Sequence, residues 1–496
     1  MSRPPSYLYA PAAVREMDRI AIEELGIPGF ELMSRAGRRV HDTARRRYPD
    51  ARCWLVLCGA GNNAGDGYIV ARLAREAGIV VTVAVLADPD ALQGDAAAAW
   101  RAFRQAGGMV VPFADGLLEA ADLVIDALLG TGTSRPLEGA WLQAVQAVNA
   151  AAVPVVAVDL PSGLDGESGA VLGAAIRAAV TVSFIGRKLG LYLDAGPAHA
   201  GERVFDDLGV PQAGLATVAP ALRLCTEDDR RHCLPRRARD AHKGHFGHVL
   251  VVGGNLGMGG AARLAGEAAL RAGAGLVSVA TRPGNVAAIL AGRPELMCHG
   301  LDDAAGLDVL LERATLVAIG PGLGQDAWAR GLFERVLDCS LPLVVDADAL
   351  NLLAAQPRRR EDWVLTPHPG EAARLLGSTT AAVQAGRRQA VAMLGERFGG
   401  VILLKGQGTL VARGGSVPWL VDAGNPGMAS GGMGDVLTGL VAGIAVQHPQ
   451  GDLLEAAACA AQLHAMAADA AVREGERGLI ASDLFSGLRR LLNPCG

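Results

Sequence analysis

The feature that most restricts this chain is a recurring unit: a short Val/Leu/Ala run followed by a longer stretch of helical period. In the first half the runs are CWLVLCG (53–59), VVTVAVLA (80–87), DLVIDALLG (122–130), VPVVAVDLPSG (153–163) and AVTVSFIG (179–186). Runs that are apolar throughout, rather than alternating, belong to strands buried on both faces, so helices must cover both sides of a parallel sheet. A second series follows: HVLVVGG (248–254), GLVSVAT (275–281), TLVAIGPGLG (315–324), PLVVDADALN (342–351), DWVLTPHPGE (362–371) and GVILLKGQGT (400–409). Each of these ends in Gly, Asp, Thr or His. Ligands of open α/β sheets bind at the carboxyl ends of strands, so two sheets imply two sites.

Between about 207 and 240 the pattern gives way to Pro, Gly and a run of charges, which places a linker near 211–222. With 496 residues, and about 100–200 usual for one domain, the chain reads as two α/β domains, 7–212 and 222–496. Its 65 glycines are nearly twice the usual share of about 7%, with no collagen period; they belong in turns and where backbone approaches something closely. A net charge of -5 excludes general nucleic-acid or anionic-membrane binding and leaves small molecules as partners. The eight cysteines form no C-x-x-C pair and read as reduced, mostly buried thiols. Residues 1–30 lack the basic-then-apolar run of a signal peptide and no membrane-length apolar span occurs, so a cytoplasmic protein is expected, with a homo-oligomer as the default assembly.

The first strand runs into CGAGNNAGDG. Gly59, Gly61 and Ala64 satisfy the Rossmann dinucleotide fingerprint, with Asp88 as a ribose acceptor. Against that reading, Asn62, Asn63, Gly65 and Asp66 put amides and a carboxylate into a turn where pyrophosphate wants bare N–H donors. The strand ends DALLGTGTSRP and DLPSGLDG bring Asn63, Asp126 and Ser162 together, hard oxygen donors suited to an alkali or alkaline-earth cation. The bland alternative for Asp126 and Asp159 is helix capping.

Together with EMDRIAIEELGIPGFELMSRAG and FIGRKLGLYLDAG, these motifs resemble the NAD(P)H-hydrate epimerase domain. The resemblance implies a Rossmann-like three-layer fold and a site for the hydrated form of NADH or NADPH (NADHX, NADPHX). Asn62, Asn63, Ala64, Gly65 and Asp66 would line it, with Gly130, Thr131, Gly132, Thr133, Ser134, Arg135 and Pro136. Asp159 would contact the substrate and act as acid/base, Lys188 being the second candidate, and K+ would sit on Asn63, Asp126 and Ser162. Ala64 and Ser34 stand where that family more often has Gly and Glu.

In the second domain NPGMASGGMGDVLTG (425–439) reads as an anion site: Gly431, Gly432 and Gly434 let N–H groups converge at a helix start. Asp435 beside such a nest is electrostatically awkward unless it takes a proton from a hydroxyl about to be phosphorylated. The alternative is a glycine-rich turn with an Asp cap. His242, His245 and His248 precede a strand at a spacing that does not share one face, so they are not read as a metal set. Asp346 and Asp348 either contact magnesium or cap the next helix.

HKGHFGHVLVVGG, GPGLG, DADALN, TPHPGE, KGQGT and the glycine loop, in this order, resemble the ADP-dependent NAD(P)H-hydrate dehydratases, relatives of the ribokinase-type sugar kinases. The resemblance implies a ribokinase-like α/β fold that uses ADP and Mg2+. Lys405, Gly406, Gln407, Gly408, Thr409 and Gly434 would hold the nucleotide, and Ala261, Gly322, His368 and the catalytic Asp435 the hydrate. Ser430 and Met433 depart from the commoner Thr and Ser, Met433 lying inside the nest. Two rivals remain: a small-molecule kinase with a Rossmann regulatory domain, and a first domain that only senses nucleotide.

Overall fold

The computed structural model describes residues 6–133, 135–448 and 451–493. The chain divides into two compact units, one spanning Tyr7–Leu222 and the other built mainly from Arg223 onward.

The first unit is organised by a parallel seven-stranded sheet in the spatial order Val110–Pro112, Val80–Val85, Cys53–Cys58, Leu123–Ala127, Val155–Val158, Val180–Phe184, Glu202–Asp206. The central strands are the all-apolar runs, and Leu123–Ala127, Val155–Val158 and Val180–Phe184 are buried along their whole length. The two edge strands give no such signature because each is partly exposed. The topology reverses between Cys53–Cys58 and Leu123–Ala127, the position at which an open α/β sheet opens a crevice.

In the second unit the parallel strands run Met297–Gly300, Leu276–Thr281, His248–Val252, Leu316–Ile319, Leu343–Val345, Trp363–Leu365, Val401–Leu404, followed by antiparallel Thr409–Arg413 and Trp419–Val421. Helices Gly259–Ala272 and Met433–Ala445 cross closely over this sheet. A Cβ at Gly439 would lie 2.1 Å from the Ala265 carbonyl and one at Gly443 2.5 Å from that of Ala269. Those glycines serve packing.

The stretch after 222, where charges interrupt the strand pattern, is ordered: Leu222–Leu224 is a strand whose Arg223 pairs with Trp419, and Glu227–Cys233 is a helix opened by a Thr226/Asp229 capping box. The expectation of mostly buried cysteines is corrected. Among the described cysteines only Cys58 and Cys459 are buried; the other five, all free, are half-buried. Among the described residues no helix is long and apolar enough to cross a membrane.

Candidate functional site

In the first unit, Asn62 opens the helix Asn62–Glu76, so Asn62, Asn63 and Ala64 form its first turn rather than a loop. Of the two fingerprint glycines only Gly59 has a packing role, since a Cβ at Gly61 would meet open space; neighbouring Gly65 is also closely packed. A Cβ at Gly59 would fall 1.8 Å from the Leu128 carbonyl, and one at Gly65 2.6 Å from Met33 Sδ. Asp88 is not set for a ribose: its side chain accepts from the Asp90 N–H at 3.0 Å and caps a short turn.

Asp126 and Ser162 meet directly, and Asn63 is linked to Ser162 through the Leu129 backbone. Ser162 Oγ donates to Asp126 Oδ1 at 2.6 Å, Ser162 N–H donates to Asp126 Oδ2 at 2.8 Å, and Asn63 Nδ2 donates to the Leu129 carbonyl at 3.0 Å. Asp126 is 0% exposed, and burial lifts its carboxyl to about 6 although Ser162 and Leu128 donate to it. Neither Asp126 nor Asp159 caps a helix. Loop residue Gly130 packs on Asn63; a Cβ there would be 3.6 Å from Asn63 Cβ. Thr131 and Thr133 are half-buried, Gly132, Arg135 and Pro136 exposed, and Ser134 lies outside the described residues.

Asp159 follows Val155–Val158 with φ at 67°, a left-handed backbone that a non-glycine residue rarely adopts. Its Oδ1 pairs with the buried Lys188 ammonium and accepts from Phe184 N–H at 3.3 Å; Lys188 also donates to the Phe184 carbonyl at 2.7 Å. Lys188 is thereby the partner of Asp159 rather than its rival. Asp66 joins this group from the helix; burial raises its carboxyl well above the usual range, and Asp159 and Asp18 add to that. Asp18 escaped the sequence reading, since nothing in the local pattern EMDR distinguishes it from a helix-surface aspartate. Ser34, at the other departure, donates to the Phe30 carbonyl at 2.7 Å within its own helix.

In the second unit, Gly432 with φ at 88° turns the chain into the helix Met433–Ala445, and Asp435 stands in the first turn. The first N–H bonded back into that helix is Val436, to the Gly432 carbonyl, so the earlier N–H groups face outward. The nest is present, with one correction: the Met433 side chain is 6% exposed and turns into the hydrophobic core, not into the nest.

Asp435 faces a dense polar cluster. Lys405 Nζ donates to Asp346 Oδ1 at 2.7 Å, Thr366 Oγ1 to the same oxygen at 2.8 Å, and Thr438 Oγ1 to Asp346 Oδ2 at 2.8 Å. Asp346 makes no helix cap; it anchors this network. Burial, then the neighbouring Asp346, push the Asp435 carboxyl up to about 7 against the pull of Lys405. Burial works against the Lys405 ammonium, but Asp346 and Glu371 outweigh it and hold that group above the ordinary lysine value. A Cβ on Gly434 would sit 3.4 Å from Lys405 Nζ and 3.5 Å from Asp346 Oδ2, so backbone lies directly over the pair.

Gly322 has φ at 58°, and a Cβ on it would be 3.1 Å from Ala261 Cβ, which puts both on one wall. Asp348 fixes the same turn by accepting from Gly324 N–H at 2.8 Å. His368 caps Pro369–Leu376 through Nδ1, which accepts from Gly370 N–H at 3.0 Å, while 56% of its side chain stays exposed; it is no packing histidine. Residues 405–408 form the turn between Val401–Leu404 and Thr409–Arg413. Arg387, unremarked in the sequence, clamps this turn by donating to the carbonyls of Leu404 at 3.2 Å, Lys405 at 3.3 Å and Gly408 at 3.2 Å. His248, of the three spaced histidines, spends its ring on the Arg313 carbonyl and the Ser278 hydroxyl.

Residues 249–490 match the family described as NAD(P)H-hydrate dehydratase, and residues 29–190 that described as YjeF-related protein N-terminus. The bifunctional NAD(P)H-hydrate repair enzyme of Coxiella burnetii is 48% identical, over 98% of this chain and 99% of its own; that of Escherichia coli is 45% identical, over 97% and 93%. Among solved structures, a hypothetical protein from Streptococcus mutans has a TM-score of 0.51 at 30% identity, covering 54% of this chain and 98% of its own. A ribokinase-like superfamily protein from Enterococcus faecalis has a TM-score of 0.50 at 30% identity, covering 55% and 96%. The chain belongs to the family of bifunctional NAD(P)H-hydrate repair enzymes.

Proposed function

We propose that the second unit dehydrates hydrated NADH or NADPH by kinase chemistry and that the first unit interconverts the epimers of that hydrate. The observation that carries the reading is Asp435, a half-buried carboxylate at an anion nest, over an ammonium already paired with Asp346. A carboxylate there repels bound phosphate; its useful work is to take a proton from a hydroxyl receiving phosphate. The hydrate hydroxyl loses its proton to Asp435 and its oxygen takes the terminal phosphoryl group of ADP, releasing AMP. The lone pair of the ring nitrogen then expels phosphate, and loss of a proton from the neighbouring ring carbon restores the dihydronicotinamide. The kinase step supplies a leaving group.

Lys405 to Thr409 and Gly434 would hold ADP, and Ala261, Gly322 and His368 would face the hydrate. Mg2+ bound with the diphosphate would neutralise phosphoryl charge. The donors fit an ion that keeps its waters: Asp346 has both oxygens committed, and among the described residues no cluster of three or more His, Cys, Asp or Glu is set to hold a metal.

In the first unit, Asp159 would serve as acid/base beside a site lined by Asn62 to Asp66 and residues 130–136. Asn63, Asp126 and Ser162 fit K+, because among the described residues the fully buried Asp126 is met only by hydrogen-bond donors and by no cationic side chain, so a bound monovalent cation would compensate it. Such an ion would supply the positive charge that compensates Asp126. Fusion is complementary: a dehydratase specific for the S epimer would strand the R epimer. Incubating the protein with mixed epimers and ADP should convert both to NAD(P)H with stoichiometric AMP; a stable phosphorylated product would favour an ordinary kinase instead.

A further inference from the structure

The glycine turn 320–324 takes positive φ at Gly320, Gly322 and Gly324, and what fixes this backbone lies at the end of the neighbouring strand. Three of its carbonyls are spent there. Pro321 accepts from Gly254 N–H at 3.0 Å, Gly322 from Asn255 N–H at 2.7 Å, and Leu323 from Asn255 Nδ2 at 3.0 Å. The other end of the Asn255 amide is equally committed: Oδ1 accepts from Leu256 N–H at 2.8 Å and from Arg282 Nε at 3.0 Å. One buried side chain thus ties together the residues that follow three adjacent strands, Leu276–Thr281, His248–Val252 and Leu316–Ile319.

The N–H groups of the turn are not all spent. Gly320 donates to the Val252 carbonyl at 3.1 Å, Leu323 to the Gly320 carbonyl at 3.0 Å, and Gly324 to Asp348 Oδ2 at 2.8 Å. Gly322 is buried, and among the described residues its N–H has no partner. A buried N–H in that position asks for an acceptor from outside the chain. Its direction follows from the trans peptide: the N–H opposes the carbonyl of the same plane, and that carbonyl, of Pro321, faces Gly254. The Gly322 N–H therefore points away from His248–Val252, toward the side on which Leu343–Val345 delivers Asp346.

We propose that Asn255 is a positioning residue of the dehydration: by holding this turn it keeps the Gly322 N–H aimed at an oxygen of the hydrate. This rests on the dehydratase reading of the second unit. Such a bond is made in the ground state and the transition state alike, so its loss weakens hydrate binding rather than the phosphoryl step. Asn255→Asp in the full chain isolates the effect. The carboxylate keeps both acceptor contacts of Oδ1, toward Leu256 and Arg282, but presents an oxygen where Nδ2 donated, so the hold on Leu323 is lost.

KM for the S epimer should rise about tenfold, on the scale of one hydrogen bond. The kcat should stay within about twofold of wild type, and KM for ADP and epimer exchange by the first unit should not change. An unaltered KM for the hydrate overturns the proposal, as do equal rises in KM for hydrate and ADP, which a general loosening would give. If Asn255→Asp fails to fold, the wild-type protein decides. With the S epimer and no ADP nothing turns over, and hydrogen exchange in the peptide covering 320–324, read by mass spectrometry, should slow; unchanged exchange overturns the proposal. Failure of the wild-type protein to form NAD(P)H from the S epimer and ADP would instead refute the dehydratase reading itself.

Discussion

Lys405 Nζ lies 2.7 Å from Asp346 Oδ1, and both oxygens of Asp346 are further held by the hydroxyls of Thr366 and Thr438. This pair joins the end of one strand to the end of another and underlies the helix that presents Asp435. Removing one partner from a buried ion pair leaves an uncompensated charge, typically at a cost of about 3–5 kcal/mol. Lys405→Met should therefore lower the stability of the second unit by several kcal/mol on that scale, read by urea unfolding, and abolish dehydration. A variant as stable as wild type would mean the pair does not hold the site.

The proton acceptor should be visible in the pH dependence. A base must be ionised to work, and burial raises Asp435 to about 7. The first-order rate of dehydration should thus be full above that value and fall about tenfold per pH unit below it. Asp435→Asn should lower kcat by about 10²–10⁴-fold, lose that limb, and still bind ADP in equilibrium dialysis.

Arg387 is a half-buried guanidinium whose described hydrogen bonds run to neutral oxygens, and desolvation lowers its pKa to about 10. It fixes the turn assigned to the nucleotide. Arg387→Gln loses several charge-assisted hydrogen bonds, so KM for ADP should rise about tenfold or more. KM for the hydrate should change little. Equal rises in both constants would show a general loss of structure instead.

Asp126 supplies the negative charge of the proposed K+ site. Epimer exchange should slow when K+ is replaced by tetramethylammonium, whose methyl groups shield its charge from oxygen ligands, and recover on adding K+. Asp126→Asn should exchange slowly in either salt. Wild-type rates without K+ would contradict the assignment of the cation.

The parts legible in the sequence are those that a strand carries to its own end. Asp126, Asp159 and the 405–408 turn stand directly after all-apolar runs, so their place at the sheet's carboxyl edge follows from local pattern. Asp435 was legible through its glycines. What local pattern does not encode is the partner a side chain meets across the fold. Asp346 read as a cap or a metal ligand, yet it pairs with a lysine 59 positions away. Met433, placed in the nest by its neighbours, points into the core because helical phase at that residue faces the sheet. Asp18 and Arg387 lie on helices whose surface patterns are ordinary; only tertiary packing brings one to Lys188 and the other to the 405–408 turn. The edge strands were missed for a related reason, since strands exposed on one side lack the unbroken apolar run.

The central claim is that the hydrate's own oxygen becomes part of the phosphate released. It is tested by following a heavy-oxygen label in the ring hydroxyl of the S epimer during short incubations with ADP, using Asp159→Ala so that epimer exchange does not wash the label into water. Phosphoryl transfer to that hydroxyl predicts labelled inorganic phosphate in amounts equal to the NAD(P)H regained. Label appearing in water, with unlabelled phosphate, would contradict it.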